Sequence, residues 1–329
     1  MITEYIFCEG VFMLYVTVVG VLFCLTLKGY CGKRLSCFVR CTEDTCIFNS
    51  LRMLFCIFIG IAMVFAEGSQ GFLLVEPGML AVCALSGFSN AAFLIFWMLA
   101  IQKNSMVSVD VGLTLGALIP SVLCTLIFGE SFSVPKMAGF AMILIATVVL
   151  AGGGKKSDKR SPIGILLLSL AAIGDGVTGF SQQLYKHCYT EGGSVAQSYY
   201  PKTVFHFYTY VFAALALLAV WLYYHLAGAK KKAAGEIETN KIRSGAVIPL
   251  RVAIHIFIMA VCLFAANYLQ TVVTNDMGMS SQILYPVLKG GCLITVNFTA
   301  MIFFGEKITR RSIIGSLIAL CGIITMSIL

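Results

Sequence analysis

The feature that most constrains this chain is the alternation of long apolar runs with short clusters of charged residues. The runs are each roughly 20 residues long, the length that spans a hydrocarbon layer as a helix. A helix is required there because no water is present to hydrogen-bond the backbone groups. Only 12% of the residues are charged, about half of what a soluble domain carries. The sequence therefore predicts an all-α integral membrane protein.

Ten transmembrane helices are predicted from the apolar runs. They cover 5–27, 49–66, 79–101, 105–128, 134–152, 162–184, 203–226, 247–269, 279–304 and 311–329. The first run is preceded by no basic segment and followed by no Ala-x-Ala cleavage site. We therefore expect it to stay in the protein as a helix and not to be removed as a signal peptide. The predicted connections are too short to contain a second soluble domain.

Basic residues are unevenly distributed between the predicted connections. The odd-numbered connections carry seventeen Lys and Arg residues and the even-numbered ones three, while Arg52, Arg251 and Lys289 fall at or inside spans. Lys28 is counted with the first connection. By the positive-inside rule, this bias predicts a multi-pass plasma-membrane protein with its odd connections in the cytoplasm and both termini outside. Because the basic residues sit at helix ends, the net charge of +8 does not indicate nucleic-acid binding.

A glycine–glutamate pair recurs at matching places in the two halves of the chain. Gly129 and Glu130 end the fourth predicted span, and Gly305 and Glu306 end the ninth, at an offset of 176 residues. In each copy a hydroxyl residue follows the glutamate by three positions, where the N-cap of the next helix is expected. We expect both glutamates to be structural, capping a helix or holding a tight turn.

The matching pairs indicate two copies of a five-helix unit. The first copy covers 1–152, a basic linker covers 153–161, and the second copy covers 162–329. Five is an odd number, so the second copy enters the bilayer from the opposite side. Inverted repeats of this kind are common in transporters, where the solute site lies at the repeat interface near the midplane.

The glycine–glutamate pairs, each followed by a hydroxyl residue and a glycine in the next helix, resemble the EamA-like branch of the drug/metabolite transporter superfamily. The stretch from Met279 through Tyr285 and Lys289 to Glu306 is similar to the last repeat of bacterial members. The resemblance implies ten helices in two inverted repeats around a central cavity lined by the fourth and ninth helices. Members usually keep both termini in the cytoplasm, whereas the distribution of basic residues here places them outside.

Ionisable or polar side chains inside spans are costly, so they are candidates for a functional site. Lys289 lies in the ninth span beside Pro286 and two glycines, which loosen the helix. An ammonium group at such a break suits a carboxylate or phosphate of a solute. The alternatives are that Lys289 pairs with Asp110 or extends to the membrane surface. Four other polar residues are predicted to bind substrate: Tyr285, Gln282, Asn90 and Asn267. The alternative for the three amides is hydrogen bonding between helices.

Two carboxylates are candidates for proton coupling. Asp175 lies near the middle of the sixth span, and Asp110 lies early in the fourth. A carboxylate removed from water can exchange a proton near neutral pH. The alternative for Asp110 is an interfacial position near a helix end. The cysteines are mostly single residues in apolar runs and lack the spacing of a zinc site, so no metal or cofactor is expected.

The expected function is secondary transport of a small polar or anionic metabolite by alternating access, with proton coupling as one option. A membrane-embedded enzyme acting on a lipid-linked substrate is an alternative, but its His, Asp and Arg residues should cluster at one interface, and here they are scattered. A membrane subunit without transport activity is another alternative, although it has no need of Lys289 and Asp175 inside spans. We therefore expect no enzymatic activity, and we expect the partners to be the bilayer, a small solute and protons.

Overall fold

The computed structural model of the chain is helical, and no strand occurs among the residues it describes. Those residues are 2–39, 41–68, 72–103, 106–129, 133–151, 162–191, 193, 198–233, 249–305 and 310–327. The helices are α1 (Ile2–Leu35), α2 (Thr42–Ala66), α3 (Pro77–Lys103), α4 (Met106–Thr114), α5 (Leu118–Phe128), α6 (Val134–Ala151), α7 (Pro162–Tyr189), α8 (Lys202–Ala233), α9 (Leu250–Asn275), α10 (Ser281–Phe304) and α11 (Arg310–Ser327). A 3₁₀ turn, Leu115–Ala117, joins α4 to α5.

Seven helices within the described ranges are long and apolar enough to cross a membrane by length and composition: α1, α2, α3, α7, α8, α9 and α10. Three apolar segments are shorter, at Gly112–Phe128, Val134–Val149 and Ile313–Thr325. Many large apolar side chains also face outward, where lipid would cover them. The predicted all-α fold is confirmed, and the seven long apolar helices are compatible with the predicted multi-pass membrane protein.

The first helix is longer than its apolar run. The sequence placed the end of this span at residue 27 and assigned Lys28 to a connection, but α1 continues to Leu35. The helix continues because Cys31 and Leu35 are buried in the core beyond the predicted end. Lys28 is itself only 8% exposed, so its assignment to the first connection was wrong.

Close helix packing holds the bundle together. The helix α3 packs along α7 and α8, α1 along α9, α2 along α8, and α6 along α11. Glycines allow the closest approaches: a Cβ atom on Gly174 of α7 would lie 2.8 Å from the backbone nitrogen of Phe93 in α3. Small residues are the usual means of packing helices in a membrane, because they let two backbones approach closely.

The helices α5 and α10 end in the same way. Gly129 has a φ of 66° and Gly305 a φ of 63°, the left-handed conformation that terminates helices and favours glycine. The two glycines of the predicted repeat motif therefore have the same local structure. Glu130 and Glu306 lie outside the described residues. Ser133 directly precedes α6, as predicted for an N-cap, but its Oγ has no hydrogen-bond partner among the described residues.

Candidate functional site

A cavity of about 80 Å³ lies between α1, α3, α4, α5, α7, α9 and α10. This space is large enough for several water molecules. Its charged and polar lining residues are Lys28, Asn90, Asp110, Asp175, Thr178, Gln182, Asn267, Gln270, Tyr285 and Lys289. Ile101 and Met106 also line it, so the cavity reaches the ends of α3 and α4 where the third connection joins them. Charged groups are thus gathered inside an otherwise apolar bundle.

Two of the elements that line the cavity are irregular. The turn Leu115–Ala117 interrupts the passage from α4 to α5, and its Gly116 packs against α7, where an added Cβ atom would lie 2.6 Å from the carbonyl oxygen of Ala172. Pro286 lies inside α10, three residues before Lys289. A 3₁₀ turn inside a helix often marks a hinge, and proline removes a backbone donor. Each irregularity lies close to a charged lining residue.

Lys289 forms an ion pair with Asp175, which joins α10 to α7. Their side chains are 17% and 22% exposed, and both line the cavity. The sequence had offered Asp110 as the alternative partner of Lys289, but the structure places the ammonium on Asp175 instead. The two charges therefore neutralise each other at the cavity wall.

Asp110 lines the cavity without a partner for one of its oxygens. Its Oδ2 is buried and accepts no hydrogen bond from any described residue. Asp110 also makes no ion pair with any residue in the described ranges. A buried carboxylate oxygen without a donor is costly and calls for a ligand, a water molecule or a proton.

Lys28 is a cavity residue that the sequence reading missed. Its Nζ lies 5.2 Å from the ring centroid of Phe93 and 6.0 Å from that of Trp97, within the range of cation–π attraction. Both rings line the cavity as well. A signal was present in the sequence, because Cys31 and Leu35 continue the helical spacing of apolar residues past residue 27.

Tyr285 connects α10 to α7 beside the ion pair. Its hydroxyl donates to the carbonyl oxygen of Gly179 at 2.8 Å and lies 3.2 Å from Oε1 of Gln182. A Cβ atom on Gly179 would lie 2.9 Å from the tyrosine ring, so a side chain there would displace it. The tyrosine is thus held in one position at the cavity wall.

The predicted amides divide into two groups. Asn90 and Asn267 line the cavity, and Asn267 Nδ2 donates to the hydroxyl of Tyr210 at 3.1 Å. Asn90 is 2% exposed, and its Nδ2 has no acceptor among the described residues. Gln282 is not a lining residue, and its Nε2 donates to Thr125 Oγ1 at 3.1 Å. The cavity therefore brings together Lys289, Tyr285, Asn90, Asn267, Asp175 and Asp110.

Arg52 of α2 is a second buried cation that was not singled out from the sequence. It is 1% exposed, and all three of its guanidinium nitrogens lack a hydrogen-bond partner within the described ranges. Its guanidinium carbon lies 6.0 Å from the ring centroid of Trp97, the same ring that Lys28 contacts. Arg52 does not line the cavity, but it adds positive charge beside it.

The helix ends near the second and eighth connections are tied together by polar contacts. Glu67 accepts hydrogen bonds from Thr203 Oγ1 at 2.6 Å and from the Tyr268 hydroxyl at 3.3 Å. Beside them Lys202 of α8 forms an ion pair with Asp276, which follows α9. These contacts link α2, α8 and α9 at the end of the bundle away from the third connection.

Comparison with known proteins shows the fold alone. No family model matches the chain, and no curated protein matches it. A solved structure described only as "Crystal structure of protein" superimposes with a TM-score of 0.64 at 15% sequence identity, covering 95% of this chain and 98% of that chain. An arrangement like that of this chain therefore occurs, over nearly its whole length, in a solved protein.

Proposed function

We propose that this protein is a secondary transporter that moves a small polar or anionic metabolite across the plasma membrane by alternating access. The observation that carries the proposal is the cavity, which gathers four charged side chains inside a bundle of membrane-spanning helices. Charged residues inside a membrane protein mark solute and ion pathways, because each one is expensive to keep there.

The proposal includes ten spans in two inverted repeats. Ten spans result when α4, the 3₁₀ turn and α5 are counted as one interrupted span. The two copies are matched helix by helix: α1 to α7, α2 to α8, α3 to α9, α4–α5 to α10, and α6 to α11. Under this matching, the packing of α3 on α7 corresponds to the packing of α9 on α1. The contacts α2–α8 and α6–α11 each join a helix to its own counterpart in the other copy. Symmetric packing of this kind is what two inverted copies would produce.

Alternating access requires that the cavity open to one side of the membrane at a time. The cavity reaches the third connection, while the contacts of Glu67 and the pair Lys202–Asp276 hold the helices together at the other end. Odd connections are cytoplasmic in our proposal, so this conformation faces the cytoplasm. The irregular segments at Leu115–Ala117 and Pro286 are positions where the helices could bend between states.

In this proposal, proton coupling belongs to Asp110 rather than to Asp175. Asp175 is held by Lys289, whereas one buried oxygen of Asp110 has no donor among the described residues. A carboxylate that is exposed alternately to the two sides of the membrane can carry a proton in exchange for the solute. A transporter using Asp110 in this way would respond to a pH gradient, and its Asp110→Asn variant would not.

Vesicle transport tests the proposal. The purified protein is reconstituted into liposomes, a defined mixture of metabolites is added outside, and the vesicle contents are measured by mass spectrometry with and without a pH gradient. We expect at least one polar metabolite to accumulate only in vesicles that contain the protein. Empty vesicles provide the control. Equal contents in both kinds of vesicle across the whole mixture would contradict the proposal.

A further inference from the structure

We infer that the cavity binds a small zwitterion, with an anionic group of the ligand at Lys28 and a protonated amine at Asp110. The inference rests on the proposed function, because it names the class of substrate that the same cavity would carry. It is based on which of the cavity's charges already have partners in the protein and which do not.

Four charged side chains of the described residues line the cavity, and two of them neutralise each other. Lys289 and Asp175 form an ion pair, so neither has a free charge to offer a ligand. Lys28 and Asp110 remain, and neither forms an ion pair with a described residue. One cation and one anion therefore face the same cavity without contacting each other.

The positive end of the cavity is formed by Lys28. Its ammonium group lies against the rings of Phe93 and Trp97, and no carboxylate in the described ranges forms an ion pair with it. One turn along α3 from Phe93, the Nδ2 of Asn90 lacks an acceptor among the described residues. Arg52 adds a further positive charge on the Trp97 ring. Every unused group here is a cation or a hydrogen-bond donor, which suits a carboxylate or phosphate.

The negative end is formed by Asp110 on α4. Its Oδ2 is buried and has no donor among the described residues, so this end offers an acceptor and a negative charge. An anion without an amine would leave this oxygen unsatisfied and be repelled by it. A simple cation would be repelled by Lys28 and would leave its ammonium group without a partner from the ligand. Sites with buried polar groups reject ligands that leave those groups unpaired, so a molecule with both charges fits best.

Binding can be measured with the protein's own tryptophan. The sequence contains two tryptophans, and the change Trp221→Phe leaves Trp97, which lines the cavity, as the only tryptophan. The probes are glycine, 3-aminopropanoate, 4-aminobutanoate and 6-aminohexanoate, together with acetate and methylammonium as half-ligands. We expect at least one zwitterion to change the Trp97 emission at a concentration about tenfold below that of either half-ligand. The best chain length would report the separation of the two ends.

Two variants identify the groups that bind. Lys28→Met and Asp110→Asn should each weaken zwitterion binding by about tenfold or more, while Lys28→Arg and Asp110→Glu should retain it in part. Lys103→Met removes an exposed lysine at the end of α3 and should have no effect. Variants are compared only where they elute as the wild type does. If Lys28→Met or Asp110→Asn misfolds, the comparison uses Lys28→Arg and Asp110→Glu instead.

Two results would overturn the inference. One is acetate binding as tightly as every zwitterion, and the other is zwitterion binding that survives both Lys28→Met and Asp110→Asn unchanged. Uptake of the best probe into vesicles is then measured separately. Binding without uptake would support the zwitterion site and count against transport. Uptake of other solutes that is unchanged in both variants would support transport and overturn the zwitterion site.

Discussion

Three cations inside this bundle differ in what surrounds them. Lys289 is neutralised by Asp175, Lys28 lies against aromatic rings at the cavity, and Arg52 has no hydrogen-bond partner among the described residues. The residue that the sequence made most prominent, Lys289, is thus the one whose charge is already used. Lys28 and Arg52 carry charge that the described part of the protein leaves uncompensated.

We expect Lys289→Met to lower the stability of the protein by on the order of 3 kcal/mol, because it leaves Asp175 as an unpaired carboxylate. Adding Asp175→Asn should restore most of the loss, since the unpaired charge is then gone. Adding Asp110→Asn instead should not restore it. The melting temperatures of the purified variants in one detergent provide the measurement. Equal rescue by both second changes would show that the lysine is shared between the two carboxylates.

Arg52→Met should raise the melting temperature of the ligand-free protein. A buried guanidinium without acceptors costs free energy, and methionine fills similar space without charge. The matched control is Arg251→Met, an exposed residue in the first turn of α9, which should change the temperature little. A lower melting temperature for Arg52→Met would mean that an acceptor compensates this guanidinium in the purified protein.

The sequence predicted which polar residues line the cavity better than it predicted which of them contact each other. Buried charges are visible in a sequence because apolar runs make them conspicuous, and Asp110, Asp175 and Lys289 were found in this way. The partner of Lys289 could not be predicted, because Asp175 is 114 residues away and only the packing of α10 near α7 brings them together. Lys28 was missed because it follows an apolar run and so looked like the end of a span.

At the scale of helices, glycines set how closely neighbouring backbones approach. Gly87 of α3 and Gly60 of α2 both face α8, but they differ in the space around them. A Cβ atom on Gly87 would lie 2.6 Å from the carbonyl oxygen of Thr209, whereas one on Gly60 would lie 3.5 Å from Phe207. The first is a steric clash with backbone, and the second is ordinary van der Waals contact.

This difference predicts opposite effects of the same substitution. Gly87→Ala should destabilise the protein by about 1–3 kcal/mol, because α3 and α8 must move apart. Gly60→Ala should be neutral or stabilising by up to about 1 kcal/mol, since alanine favours a helix over glycine. Thermal unfolding of the two variants under the same conditions compares them directly. Similar losses in both would indicate that α2 packs on α8 as tightly as α3 does.

The positions of most helices were predicted from the sequence, and so was the proline irregularity in α10, but the interruption of the fourth predicted span was not. Nine of the ten predicted runs correspond to single helices, because apolar length alone defines them. The run 105–128 is instead divided by a 3₁₀ turn at Leu115–Ala117. The turn has a local cause that the prediction overlooked, because Pro120 has no N–H to donate to the carbonyl of Gly116 four residues earlier. Gly116 is also in close contact with α7, so tertiary packing favours the same turn.

For the whole molecule, the side of the membrane to which the cavity opens depends on orientation. We expect reporters inserted within 228–245 to behave as cytoplasmic and reporters fused after Leu329 to behave as external, because the odd connections carry most of the basic residues. Paired phosphatase and fluorescent-protein fusions at each place provide the measurement. The opposite pattern at both places would mean that the cavity faces outward in this conformation.

The ion pair between Asp175 and Lys289 also has a consequence for how the chain is made. Its two members are 114 residues apart, and α7 is synthesised well before α10. At the usual rate of translation, the acid is made on the order of ten seconds before its partner emerges from the ribosome. During that interval the Asp175 carboxylate must be protonated, pair temporarily with another group, or remain inside the insertion machinery. Completion of α10 is therefore the step that supplies the partner of the acid in α7.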